Sequence, residues 1–379
     1  MTDDLRDIFE REMKAAPPPT LDAVAAIRKG KKRRLMVNGS LGLMFIALAV
    51  AAVSGGATLL SSDHRRRLPP AERGPTLSST RPILVAGQLQ AGTEAGRDNT
   101  IYALDESGRA ELVLDASPIG FEAEPAWSPD RSMIAFSMNV KEGDPDTLNP
   151  NMELFIATDS RVAEGGTVTR TTHSEKTDTS PAWSPDGKRI AFVSDRSGNG
   201  DIYIFDIDSR SLQQVTTNPG PDAFPAWSPD GTELLFASNR KATVDLYAVD
   251  LQSGEERQIT NGDEVEGWPS WSPDGRTIVF SRSFSRSVYL LEEGAHGPRE
   301  IEVVSTSSES PEAGGDGDSY RGPRVGDVVW SPAGDQLAVV VLDEELGRAA
   351  GRVLIVDLDG TRAAQSPVFE MLRGIAWKP

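Results

Sequence analysis

Trp-Ser-Pro occurs five times in this chain, at Trp127, Trp183, Trp227, Trp271 and Trp330, and a worn sixth copy, Trp377-Lys378-Pro379, fills the last three positions. Successive copies are 44 to 59 residues apart. Short apolar runs and tight turns repeating at such a period require a repeat architecture, in which each unit covers the apolar face of the next.

The clearest unit runs from Pro181-Ala-Trp-Ser-Pro-Asp-Gly-Lys-Arg-Ile-Ala-Phe-Val-Ser194 to Asp201-Ile-Tyr-Ile-Phe-Asp206. Ser184-Pro-Asp-Gly187 has proline second, aspartate third and glycine fourth, which suits a type I turn at a hairpin corner. Trp183 therefore ends one strand and Ile190-Ala-Phe-Val193 forms the next, apolar on consecutive residues as a strand covered on both faces should be. Ile202-Tyr-Ile-Phe205 reads as a third strand and Leu212-Gln-Gln-Val215 as a fourth. Four antiparallel strands per repeat make a propeller blade.

Ahead of the first Trp, Ile83-Leu-Val-Ala86, Ile101-Tyr-Ala-Leu104 and Glu111-Leu-Val-Leu114 have the character of second, third and fourth strands without a first. Gly374-Ile-Ala-Trp377 is a first strand with nothing after it. The expected fold is all-β: a six-bladed propeller over 82–379, closed by pairing the C-terminal strand into the N-terminal blade. The repeat resembles that of the TolB-type, WD40-like propeller family, of the form Pro-x-Trp-Ser-Pro-Asp-Gly with Ile-Ala-Phe and Ile-Tyr strands. The resemblance covers about residues 82 to 379 and departs at Arg131 (for the turn glycine), at Ala333 (for its aspartate) and at the Trp377 end. It implies a binding propeller at the cell envelope, and residues 1–81 are expected to leave no room for the α/β domain that precedes the propeller in TolB.

Leu35 to Ser62 carries no charge. An apolar stretch of this length exceeds the roughly 20 residues that span a bilayer, so a transmembrane helix is expected over 35–60. Six basic residues between Arg28 and Arg34 outweigh His64 and Arg65–Arg67 behind it, which puts residues 1–34 in the cytoplasm and the propeller outside. A cleaved signal peptide is the alternative, with small residues at Ala51–Ala57, against an n-region much longer than usual. In the tail, Leu5, Ile8, Phe9 and Met13 share one helical face and Leu21, Val24 and Ile27 another, with Pro17–Pro19 between. So short a stripe needs a cytosolic partner or the membrane surface. The layout resembles that of transmembrane anti-sigma regulators, which makes a signalling regulator with the propeller as sensor the second reading. Residues 61–81 read as a flexible linker and 305–326 as a disordered insert that lengthens one repeat.

The chain carries a formal charge of −18, and residues 81–379 alone, with 26 basic and 49 acidic side chains, carry −23. Such a surface repels nucleic acid, so no nucleic-acid partner is expected. With no cysteine there is no thiol chemistry or disulfide. No Gly-x-Ser-x-Gly, His-Glu-x-x-His or phosphate loop occurs, and His64, His173 and His296 fall in a linker and two loops without visible partners. No enzyme and no cofactor is therefore expected. A calcium-dependent propeller hydrolase is the third reading, since carboxylates in a channel leave no short motif. Asp195-Arg-Ser-Gly-Asn-Gly-Asp201 offers oxygen ligands but departs from the EF-hand pattern and reads as a turn.

The repeat phase locates a candidate surface. Glu124, Ser180, Phe224, Trp268, Asp327 and Gly374 stand three residues before the six Trp, near one mouth of the channel. Adjacent blades place Phe224 and Trp268 there, with Asp222, Asp263, Glu264 and Glu266 close in sequence. Aromatics ringed by carboxylates suit a basic peptide or a sugar. The alternative is that both rings pack between blades.

Overall fold

In the computed structural model of the chain, the described residues are 83–89, 100–104, 110–114, 122–140, 151–158, 167–241, 243–282, 287–292, 297–302, 324–342, 350–370, 372 and 374–377. The expected tail, span and linker lie outside them, as does most of the expected insert, whose last three residues, Arg324, Val325 and Gly326, instead open a strand. Among the described residues no helix is long and apolar enough to cross a membrane.

The described strands form six blades. The second blade comprises β4 (Glu122–Trp127), β5 (Met133–Asn139), β6 (Met152–Thr158) and β7 (Thr167–Arg170). The third comprises β8 (Asp178–Trp183), β9 (Arg189–Ser194), β10 (Asp201–Asp206) and β11 (Leu212–Gln214). Next come β12 (Asp222–Trp227) to β15 (Glu256–Gln258), then β16 (Glu266–Trp271) to β19 (Arg299–Glu302), then β20 (Arg324–Trp330) to β23 (Arg362–Gln365). Within each blade, consecutive strands pair antiparallel. The first blade is completed across the ends of the ring: β25 (Ile375–Trp377) pairs with β1 (Ile83–Leu89), which pairs with β2 (Thr100–Leu104) and, through it, with β3 (Ala110–Leu114). Ile83 faces Trp377, Leu84 faces Ala376 and Val85 faces Ile375, so the closure is the expected one.

Sequence repetition becomes packing repetition. Phe136, Phe192, Phe236 and Phe280 hold the same place on the second strand of four blades, and all are fully buried. Each packs against an aromatic of the next strand, Phe155, Tyr203, Tyr247 or Tyr289, with ring centroids 5.6 to 6.2 Å apart. Burying such a side chain stabilises by about 3 kcal/mol. The Trp residues link neighbouring blades. Trp183 donates its indole N–H to the Ala126 carbonyl at 3.2 Å, Trp227 to Ala182 at 3.0 Å and Trp330 to Ser270 at 3.3 Å.

The turn after each Trp explains the rest of the motif. Ser184 Oγ donates to Asp186 Oδ1 and accepts the Arg189 N–H at 2.9 Å, while Asp186 also accepts the Lys188 N–H. Gly187 closes the corner at φ +69°. Where the motif departs, the geometry persists: Arg131 takes φ +68° in the glycine's place, and at the Ala333 turn Ser331 Oγ donates to Asp335 instead, at 2.8 Å.

One strand is unexpected. β24 (Phe369–Glu370) lies on the return path from β23 to the centre, pairing with Gly351 of β22 (Gly351–Asp357) on one side and with Gln88 and Leu89 of β1 on the other. It joins the sixth and first blades into one nine-stranded sheet. Phe369 is fully buried there, 5.7 Å from the Tyr102 ring.

Candidate functional site

The inner strands of the blades surround a central cavity of about 660 Å³. Five of these strands lose register midway, between Ala123 and Ala126, Thr179 and Ala182, Ala223 and Ala226, Gly267 and Ser270, and Val325 and Val328. In four of them the residue opening the bulge has a left-handed backbone: Glu124 (φ +54°), Ser180 (+54°), Phe224 (+56°) and Trp268 (+50°). A proline follows each. Left-handed backbone costs a non-glycine residue about 1 kcal/mol or more, and a bulge re-aims the side chain it carries. Gly374 takes the same position in the first blade at φ +133°, and Asp327 in the sixth. A Cβ at Gly374 would lie 2.9 Å from Glu124 Cα, so this sector of the ring is held at glycine.

All six residues line the cavity, and their order around it is Gly374, Glu124, Ser180, Phe224, Trp268, Asp327. One half is aromatic: the Phe224 and Trp268 rings stack with centroids 4.6 Å apart and planes 28° from parallel. They stack on each other across neighbouring blades and also border the cavity.

The other half is acidic. Glu124 Oε2 accepts the Ser180 N–H at 2.6 Å and the Ser137 hydroxyl at 3.2 Å, and Oε1 accepts the Ser180 hydroxyl at 3.2 Å. Asp327 Oδ2 accepts the Ile375 N–H of the closing strand at 3.0 Å. Removal from bulk water pushes the Asp327 carboxyl up to about 7, and the Glu124 charge adds to the rise. Among the described residues that line the cavity there is no lysine, arginine or histidine.

The carboxylates expected beside the aromatics take other roles. Asp222 and Glu266 begin the inner strands and are fully buried, Asp222 paired with Arg240 at 3.4 Å and Glu266 with Arg282 at 3.1 Å. Burial pushes both carboxyls up, against the pull of their serine, threonine and arginine partners. Glu264 is exposed and 3.6 Å from Arg282, and Asp263 is exposed; neither lines the cavity. Asp178 repeats the buried pattern with Arg196 at 2.8 Å. The three arginines lie over aromatic pairs: Arg196 over Phe192 and Tyr203, Arg240 over Phe236 and Tyr247, Arg282 over Phe280 and Tyr289. This ladder was missed from the sequence, although Ser194-Asp-Arg196, Ser238-Asn-Arg240 and Ser281-Arg282 mark it.

His173 is exposed, and His64 and His296 lie outside the described residues. The Asp195–Asp201 segment is a connection between strands: Gly198 N–H reaches the Asp195 carbonyl, Asp201 accepts from Ser197 and Gln214, and Asn199 donates to the carbonyls of Asn218 and Pro219.

An uncharacterized peptidase of Bacillus subtilis (strain 168), YuxL, is 30% identical over 106 residues, 28% of this chain and 15% of that protein. The Tol-Pal system protein TolB of Ruthia magnifica subsp. Calyptogena magnifica is 28% identical over 135 residues, 33% of this chain and 28% of that protein. The chain thus spans less than a third of the length of either relative. The crystal structure of TolB from Acinetobacter baumannii shares the fold, with a TM-score of 0.59 at 22% identity over 79% of this chain and 67% of that one. Residues 115–282 and 161–321, together more than half of the chain, match the TolB beta propeller domain, and the chain belongs to that family.

Proposed function

We propose that this propeller is a non-catalytic binding module that takes a protein or peptide segment into its central channel, and that a single span over 35–60 displays it outside the cytoplasmic membrane with residues 1–34 inside. The observation that carries the reading is the ring of six channel-facing positions, four of them on left-handed backbone, occupied by a stacked aromatic pair opposite carboxylates. Left-handed backbone of this kind collects at working surfaces, and here it carries the side chains that border the channel. A cavity of this size accommodates a few side chains of an inserted segment. The name of the Tol-Pal relatives fits a role in an envelope assembly, while the peptidase relative matches over only 15% of its own length.

The test is site-specific photo-crosslinking in the membranes of the producing cell. A photoreactive side chain at Ser180 or Phe224 is expected to capture a protein. The same group at Leu212, 42% exposed on an outer strand, is expected to capture none. Adducts from Leu212 with none from the channel positions would refute the reading. Protease added to intact spheroplasts is expected to digest the propeller and spare the tail; the reverse pattern refutes the orientation.

A further inference from the structure

We propose that the joint between the third and fourth blades holds one proton on the Asp201–Asp222 pair and loosens when that proton leaves. Neither acid lines the channel, so nothing here depends on what the channel binds.

Two successive joints of the repeat differ in their cations. Between the second and third blades, Glu153 and Asp178 meet across Thr172, and each has an arginine: Arg170 lies 2.8 Å from Glu153 and Arg196 lies 2.8 Å from Asp178. Between the third and fourth blades, Asp201 and Asp222 meet across Thr216. Arg240 repeats Arg196, but Gln214 stands where Arg170 stood, two residues before the threonine. Its Nε2 donates to Asp201 Oδ2 at 3.1 Å and brings no charge. Arg240 is divided between Asp222, at 3.4 Å, and Glu256. Both acids of this joint are fully buried, and Asp201 Oδ1 and Asp222 Oδ2 meet no donor, whereas Glu153 and Asp178 leave no such atom.

A hydroxyl has one proton to donate, so Thr216 serves one carboxylate at a time. A buried carboxylate short of counter-charge is neutralised by taking up a proton. Among the described residues, the charged groups against the pair are Asp195 and Glu256, both negative, and Arg240. Among the same residues no three acids or histidines gather as a metal site, which suits a proton rather than a metal ion. Burial pushes both carboxyls up, Asp201 against Ser197, Gln214 and Thr216, and Asp222 against Ser238, Thr216 and Arg240. Opening the joint to water restores the ordinary value, so the closed pair is stabilised near the ordinary carboxylate range and loses that stabilisation as pH rises above it. The Asp222 N–H is held by the Gly200 carbonyl at 2.6 Å, next to Asp201, and Phe224 follows two residues later. The strand that loosens is therefore the one that carries Phe224 into the channel.

Hydrogen exchange followed by mass spectrometry on the full-length protein in detergent, with rates corrected for the intrinsic effect of pH, tests this. Between about pH 4.5 and about pH 7.5, peptides from β10 and β12 are expected to lose protection at least about fivefold, and those from β6 and β7 less than about twofold. Gln214→Arg supplies the cation that Arg170 supplies in the second blade, and is expected to keep β10 and β12 protected at both pH values. Asp201→Asn, which resembles the protonated acid, is expected to do the same. Should Asp201→Asn fail to fold, Gln214→Arg carries the test. Protection of β10 and β12 that ignores pH in the unaltered protein overturns the proposal, as does an unchanged pH dependence in Gln214→Arg. An Asp201→Asn variant that folds but loses protection equally at both pH values overturns it too, since a purely structural aspartate behaves that way. Calcium that restores protection at the higher pH would assign the site to a metal ion and overturn the proton.

Discussion

Arg240 is 12% exposed, lies over Phe236 and Tyr247, and meets Asp222, whose side chain is fully buried. It also reaches Glu256. Removing it strands a buried carboxylate, so Arg240→Ala is expected to cost about 3 kcal/mol in urea denaturation. Arg257, 53% exposed beside Glu233, should cost less than about 1 kcal/mol by the same measurement. The two worn turns differ in the same way. Arg131→Gly relieves a left-handed backbone and is expected to stabilise by about 1 kcal/mol, whereas Ala333→Asp should change little because Asp335 already serves Ser331. Phe224 and Trp268 were legible because the Trp phase alone puts them in the channel. Asp222 and Glu266 were not, since two residues along a strand separate a channel position from a buried one, and their arginine partners stand 18 and 16 residues away. Glu124 and Asp327 share the phase of the aromatics, but only the folded ring shows that they stand together across the Gly374 sector.

The closing strand was legible for a different reason: a first strand without successors and three successors without a first can only complete each other. β25 contributes three residues, and Ile375 N–H is held by Asp327 of the neighbouring blade. Deleting residues 375–379 is expected to expose β1 and to replace one sharp thermal transition by a broad one of lower midpoint, followed by circular dichroism. β24 was illegible because two residues carry no periodicity, and its partners lie in blades at opposite ends of the sequence. Its importance rests on Phe369, and Phe369→Ala is expected to destabilise by about 4 kcal/mol. Hydrogen exchange in that variant should rise first in β22 and β1, the strands it joins.

Charge acts on the whole ring. Burial raises the carboxyls of Asp178, Asp222, Glu266 and Asp327, so the folded chain holds protons that the unfolded chain has released. Stability from these groups is present near the ordinary carboxylate range and is lost as pH rises from there to about 7 for Asp327. The turn aspartates, Asp130, Asp186, Asp230 and Asp274, are lowered by their serine hydroxyls and contribute the opposite slope below that range. Melting temperature is therefore expected to rise as pH falls from about 8 to about 5 and to drop again below about 3.5, as scanning calorimetry would record. The bulged inner strands have a consequence of another kind. In four of them the same left-handed backbone carries an acid, a serine and two aromatics, at Glu124, Ser180, Phe224 and Trp268. Those four positions thus behave as a four-letter word written on a constant page, and a change of partner needs only a change of spelling.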